Sequence, residues 1–263
     1  MYDLDILKSG LQKYIRRNIP DKALFCLRDL LFYAEKARRM TIWKSILYRL
    51  VIISVEDISI GDVITVVHVL KTISTIKTDV FPGFQTAWNR LAPLVVMMCT
   101  AEKTREFAHI YYGLYIKDIT PEISFEECLM NKDIRLIQWL RLSPDKISCL
   151  DALEKYCNNS NLRELYRISR SLIANIKENI WIFGLLFLMY LHNIDSYEEK
   201  SSIKVDLDLS EWIVDDFVVD KHTKLGRSNG KTLKDFVHEG SVLSPISKYT
   251  TQEYKELHDQ LYG

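Results

Sequence analysis

Two stretches decide the fold class: LQKYIRRNIPDKALFCLRDLL at residues 11–31 and WKSILYRLVIISVEDISIGDVI at residues 43–64. Leu4, Leu7, Leu11, Tyr14 and Ile15 recur at helical spacing. Leu24, Leu27, Leu31 and Ala34 form a second apolar face of the same period. Pro20 separates the two, because the residue before a proline avoids the α region. Asp21 then opens the next helix, either as a cap or as a charge that complements the helix dipole. The second stretch reads as a third helix over 41–55 that leads into Ser54-Val55-Glu56-Asp57-Ile58.

Working outward, the same period predicts helices near 61–75, 84–98 and 103–116, with Pro82–Gly83 as a break. A loop with a short helix is expected over 119–128. Helical units are expected at 133–141, 147–156, 162–174 and 179–192. Only nine Gly and six Pro interrupt 263 residues, which favours long helices. The expected fold is all-α, a multi-helix array or bundle, with no fixed internal period. A helical domain at 1–118, a helical continuation at 119–195 and a C-terminal segment at 196–263 are the expected divisions.

That last segment changes character. Residues 205–220 mix six acids with Trp212, Ile213, Val214, Phe217, Val218 and Val219. They fit either a helix capped at Ser210 or a short β-rich stretch. Residues 221–234, KHTKLGRSNGKTLK, hold five basic residues and no acid, and read as an exposed loop. A closing helix is expected over 248–262.

Composition excludes several classes. Thirty-five basic residues balance thirty-five acidic ones, so any grip on nucleic acid must come from local patches. The five cysteines are scattered and form no CxxC pair, which speaks for packing thiols in a reducing, intracellular setting, cytoplasmic or nuclear. No metal-ligand spacing links the six histidines, so no metal and no cofactor is expected. The longest apolar run, 180–191, is too short to span a bilayer and reads as a core helix, so no membrane partner is expected. The N-terminus shows no signal-peptide pattern. Frequent Ile, Lys, Asn and Tyr fit an AT-rich genome and leave a viral origin open.

Three landmarks, in order, resemble a known family. They are Gln12, Lys13, Ile15 and Arg16 before Pro20-Asp21-x-Ala23-Leu24; Arg49 leading to Ser54-Val55-Glu56-Asp57-Ile58; and Cys99-Thr100-Ala101-Glu102-Lys103 before Phe107, Tyr111 and Tyr112. The set resembles the helical C-terminal collar, or oligomerisation region, of MgsA/RarA-type replication-associated AAA+ ATPases, relatives of clamp loaders, over roughly 4–117. The resemblance implies an all-helical region that self-associates, and DNA and replication proteins as candidate partners. In the family this region follows an ATPase module, so the expectation here is a collar without the motor.

The chemistry agrees. The nearest approach to a Walker A loop, Gly226-Arg227-Ser228-Asn229-Gly230-Lys231-Thr232, has one residue too few between its glycines to wrap a phosphate in register. No nucleophile elbow or hydrolase signature appears, so no catalytic residue is assigned.

Two basic segments are the candidate nucleic-acid contacts. Residues 8–49 hold eleven Lys/Arg against three Asp/Glu, among them Lys13, Arg16 and Arg17. The alternative is a solvated helix face with buried alkyl stems. Lys221, His222, Lys224, Arg227, Lys231 and Lys234 form the second group, in a glycine-containing loop whose amides can approach phosphates. The alternative is a structural loop held by the acidic strip. Glu56 and Asp57, adjacent on a helix, are expected to diverge by about 100° and to play a structural part, such as pairing with Arg49.

The leading expectation is a non-enzymatic, oligomerising or nucleic-acid-associated protein of DNA replication, recombination or repair. A structural or viral scaffold protein without a DNA role is the alternative. A nucleic-acid enzyme using His222, His238, Asp216, Asp220 and Glu239 is the third.

Overall fold

The structure, a computed structural model, describes residues 2–115, 123–142, 145–157, 160–176, 179–197 and 203–250, with 252, 256, 259 and 260. It is all-α: among the described residues there is no strand, only an isolated backbone bridge between Lys103 and Ile246.

Five helices build the first half. These are α1 (Leu4–Arg16), α2 (Pro20–Ala37), α3 (Met40–Ile53), α4 (Val63–Ser74) and α5 (Phe84–Thr100). α1 lies on α2 and α5, and α2 packs in turn on α5 and α3. Pro20 occupies the first turn of α2, where its missing N–H costs nothing, and Asp21 follows it in that turn without capping by its side chain. α4 does have a side-chain cap, since Asp62 Oδ1 accepts from Thr65 N at 3.0 Å. Trp43 and Trp88 are buried in this bundle.

Further helices complete the core: α6 (Glu106–Tyr115), α7 (Phe125–Met130), α8 (Leu136–Leu142), α9 (Lys146–Cys157), α10 (Arg163–Asn175) and α11 (Ile180–Leu191). α11 is apolar on every side and packs against α6, α8, α9 and α10 as well as the turn after α3. Gly184 allows this approach, because a Cβ there would lie 2.4 Å from the Phe107 ring. No described helix is long and apolar enough to cross a membrane.

The C-terminal segment departs from expectation. Residues 205–220 are neither helix nor strand but an extended strap with one tight turn at Asp216–Val218. Its backbone groups find partners in side chains of the bundle, so it needs no ladder of its own. Arg28 donates to the carbonyls of Asp208 (3.1 Å) and Ser210 (2.9 Å), and Ser9 Oγ donates to that of Val218 (2.7 Å). The Tyr2 and Tyr14 hydroxyls accept from Val214 N (3.2 Å) and Asp215 N (3.0 Å).

The basic stretch at 221–234 is likewise no open loop. It holds α12 (Lys224–Ser228), capped by Thr223, and is followed by α13 (Leu233–Asp235), which starts in a capping box of Thr232 and Asp235. Gly226 is a packing glycine, since a Cβ there would sit 1.8 Å from the Asp220 carbonyl oxygen. The closing helix expected over 248–262 falls largely outside the described residues.

Candidate functional site

A cavity of about 750 Å³ opens where α1, α3, α6 and α11 meet the strap. Its floor is a buried charge network. Arg16 Nε donates to Asp57 Oδ1 at 2.7 Å, and Gln12 Nε2 donates to Asp57 Oδ2 at 2.9 Å. Arg105 Nη2 donates to Glu56 Oε1 at 2.9 Å, and its Nε lies 3.1 Å from Asp57 Oδ1.

Arg16, Asp57 and Arg105 are all at most 2 % exposed. Arg105 and Arg16 outweigh the effect of burial on Glu56 and hold its carboxyl below the usual range, whereas burial pushes Asp57 up. Gln12 and Arg16 come from the first landmark, Glu56 and Asp57 from the second, and Arg105 from the turn just after Cys99–Lys103, so the fold gathers distant segments at one point. The expected divergence of Glu56 and Asp57 is corrected here. The wide, π-helical turn at Ser54–Ile58 and the fork of one guanidinium let both carboxylates meet Arg105.

Lys13 forms the second buried pair. Its Nζ lies 2.7 Å from Asp220 Oδ2 and donates to the carbonyls of Phe217 (2.5 Å) and Val218 (3.2 Å). Burial lowers the Lys13 ammonium to about 8. Burial opposes ionisation of Asp220 too, but hydrogen bonds from His222 and Lys13 outweigh it and hold that carboxyl far below the ordinary carboxylate range. The pair is therefore ionised at neutral pH. His222 Nδ1 lies 3.2 Å from the same carboxylate oxygen, and the Phe236 ring lies within 6.0 Å of the Lys13, Arg16 and Arg105 cations.

This placement corrects both sequence readings of the basic helix. Lys13 and Arg16 are neither an open phosphate-contacting face nor a solvated one, because α1 turns that side toward the strap and the carboxylates of Glu56, Asp57 and Asp220. Arg16 also donates to the Gly240 carbonyl at 3.0 Å. Arg17 is half-buried, donates to the Glu239 carbonyl and lies 4.0 Å above the Phe217 ring.

The other candidates divide. Lys221 and His222 line the cavity. Lys224 is exposed, while its backbone N–H donates to Asp5 Oδ2 at 2.6 Å on the cavity wall. Arg227 folds back onto the His222 carbonyl at 3.0 Å. Lys231 pairs with Glu239 at 3.0 Å, and Lys234 is exposed. Of the five residues considered for catalysis, Asp220 and His222 touch each other. Among the described residues, no hydrogen bond or ion pair joins the side chains of Asp216, His238 or Glu239 to them, and no group of three His, Cys, Asp or Glu is placed to hold a metal.

Sequence reasoning missed Lys8, Ser45, Tyr48, Arg105 and Trp181 among the residues that shape the cavity, and it had Arg49 and Tyr112 only as landmarks of the resemblance and Arg49 as a pairing partner of Glu56 and Asp57. No motif marked Arg105, which stands two residues after the third landmark. It has φ of 48° and introduces α6, and such a conformation is rare for a residue with a side chain.

Six cationic side chains and three carboxylates line the cavity, and the carboxylates are already engaged. Glu56 and Asp220 sit in the pairs above, and Asp5 accepts from Lys224 N and Ile6 N. Lys8, Arg49 and Lys221 have no ion pair among the described residues. Arg105 Nη1 is buried without a hydrogen-bond partner. In comparisons with known proteins, no family model, no curated protein and no solved structure matches this chain.

Proposed function

We propose that this chain is a non-enzymatic nucleic-acid-associated protein of DNA replication, recombination or repair, and that it meets nucleic acid at the cavity between α1, α3 and the strap. The observation that carries the reading is convergence: two basic segments some two hundred residues apart, at Lys8–Arg16 and Lys221–Thr223, lie on one cavity, with cations free of ion pairs among the described residues at Lys8, Arg49 and Lys221. Phosphate contact needs positive charge at a surface that remains uncompensated within the protein. The likeness of residues 4–117 to a replication-associated collar supplies the setting, and self-association through α1–α5 goes with it.

The test is a titration of labelled single- and double-stranded DNA at two salt concentrations, with light scattering to read the oligomeric state. Affinity is expected to fall steeply with salt. The triple variant Lys8→Gln, Arg49→Gln, Lys221→Gln should flatten the log–log salt slope by about one unit for each phosphate that the protein no longer neutralises. A wild-type affinity no greater than that of the variant would sink the reading.

A structural scaffold is the second reading. The observation that favours it is the internal pairing of Lys13 and Arg16, which removes two strong cations from any outside partner.

A further inference from the structure

The cavity has features that an ordinary basic surface lacks. Arg105 lines the cavity at 1 % exposure, and its buried Nη1 has no acceptor among the described residues. A buried guanidinium N–H without a partner is costly, and an anion supplied from outside is one way to satisfy it. Glu56 and Asp57 already balance the charge of Arg105 and Arg16, so Nη1 offers direction more than charge.

The charge comes from the rim. Lys8 and Arg49 line the same cavity: burial lowers the Lys8 ammonium and the Arg49 charge lowers it further, against a smaller opposing effect of Asp5. An anion between them would remove that repulsion. Beside these donors, Tyr48, Tyr112 and Trp181 give the cavity aromatic walls, and its volume falls in the range of small-ligand sites.

We propose that this cavity seats a nucleoside monophosphate unit, its phosphate held by Arg105 Nη1, Lys8 and Arg49 and its base against the aromatic wall. The unit has two possible sources, a free mononucleotide or the 5′-phosphorylated end of a strand. The proposal rests on the reading above that this cavity is the nucleic-acid contact, and it narrows that contact from a backbone to a terminus.

The full-length protein would be titrated with one oligonucleotide carrying a 5′-phosphate and the same strand with a 5′-hydroxyl, and challenged with dAMP and with inorganic phosphate. The phosphorylated strand should bind about tenfold tighter, the worth of one good charged contact. dAMP should compete better than phosphate alone. The Lys8→Gln, Arg49→Gln variant should lose the preference; Arg49 touches the buried network only through Gln12 Oε1, 3.4 Å from its Nη1, and the variant's circular dichroism checks that it folds.

Binding of dAMP with no binding of either strand would uphold the nucleotide seat as a free-ligand site and remove the nucleic-acid reading. Equal, salt-sensitive binding of both strands would leave that reading standing and overturn the terminal seat. Competition by phosphate equal to that by dAMP would overturn the part assigned to the base. Absence of all binding would overturn both proposals.

Discussion

The bundle of α1–α5 and the strap at 205–220 are held by different physics. In the bundle, apolar side chains at helical spacing bury one another, and each helix satisfies its own backbone. In the strap, only Val218 of the apolar residues is fully buried, and backbone groups depend on Tyr2 and on Ser9, Lys13, Tyr14 and Arg28 of the helices beneath. The bundle's order is therefore local and repeated, whereas the strap's is borrowed from α1 and α2. A segment of this kind can hold a definite shape without secondary structure, but only while its hosts are in place.

Breaking the joint between the two regions should have the largest effect. Arg16→Met leaves Asp57 buried with one guanidinium fewer and frees the Gly240 carbonyl. The loss should be about 3–5 kcal/mol in urea unfolding, as for other buried pairs that lose a partner. Gly226→Ala should cost less, about 1–3 kcal/mol, the usual range for overpacking. Its effect should be confined: hydrogen exchange should quicken over 216–240 while α2 and α5 stay protected. Equal quickening throughout would show that the strap is no separate layer of stability.

Smaller again is the effect of pH. The Asp220 carboxyl is depressed in the folded state, so its stabilisation is present above the ordinary aspartate value of 3.8 and is lost as pH falls below it. Wild type should lose more stability between pH 5 and pH 3 than Asp220→Asn does, read as the shift in urea midpoint. Smallest is Lys234→Ala, at an exposed position without a partner among the described residues, which should change stability by no more than about 0.5 kcal/mol.

The two regions also differ in how legible they were. Helices α1–α5 and α11 followed from apolar spacing and from Pro20, Pro82 and Gly83, with ends within a few residues. Periodicity reports burial on a neighbouring helix, and that was the force at work. The strap gave no such signal, because its Trp, Ile and Val residues suit a strand while its partners are side chains far away in the chain. Gly226 illustrates the limit: a glycine between basic residues resembles a phosphate loop, yet its smallness serves the approach to the Asp220 carbonyl. The candidate site was legible in half. Lys221 and His222 were found where they line the cavity, but Lys13 and Arg16 were read as outward-facing, Arg49 was read as a carboxylate partner, and Lys8 and Arg105 were not singled out.

By itself the sequence determined the class of the molecule: helical, with one wholly apolar helix for its centre and balanced overall charge. Those properties depend on neighbours three or four residues apart, and a single chain displays them. Only the tertiary structure decided which charges cancel. Whether a lysine faces water, a carboxylate or an empty cavity depends on residues dozens to hundreds of positions away. Electrostatic partnership is set by distance in space, and the spacing of residues along the chain carries no record of it.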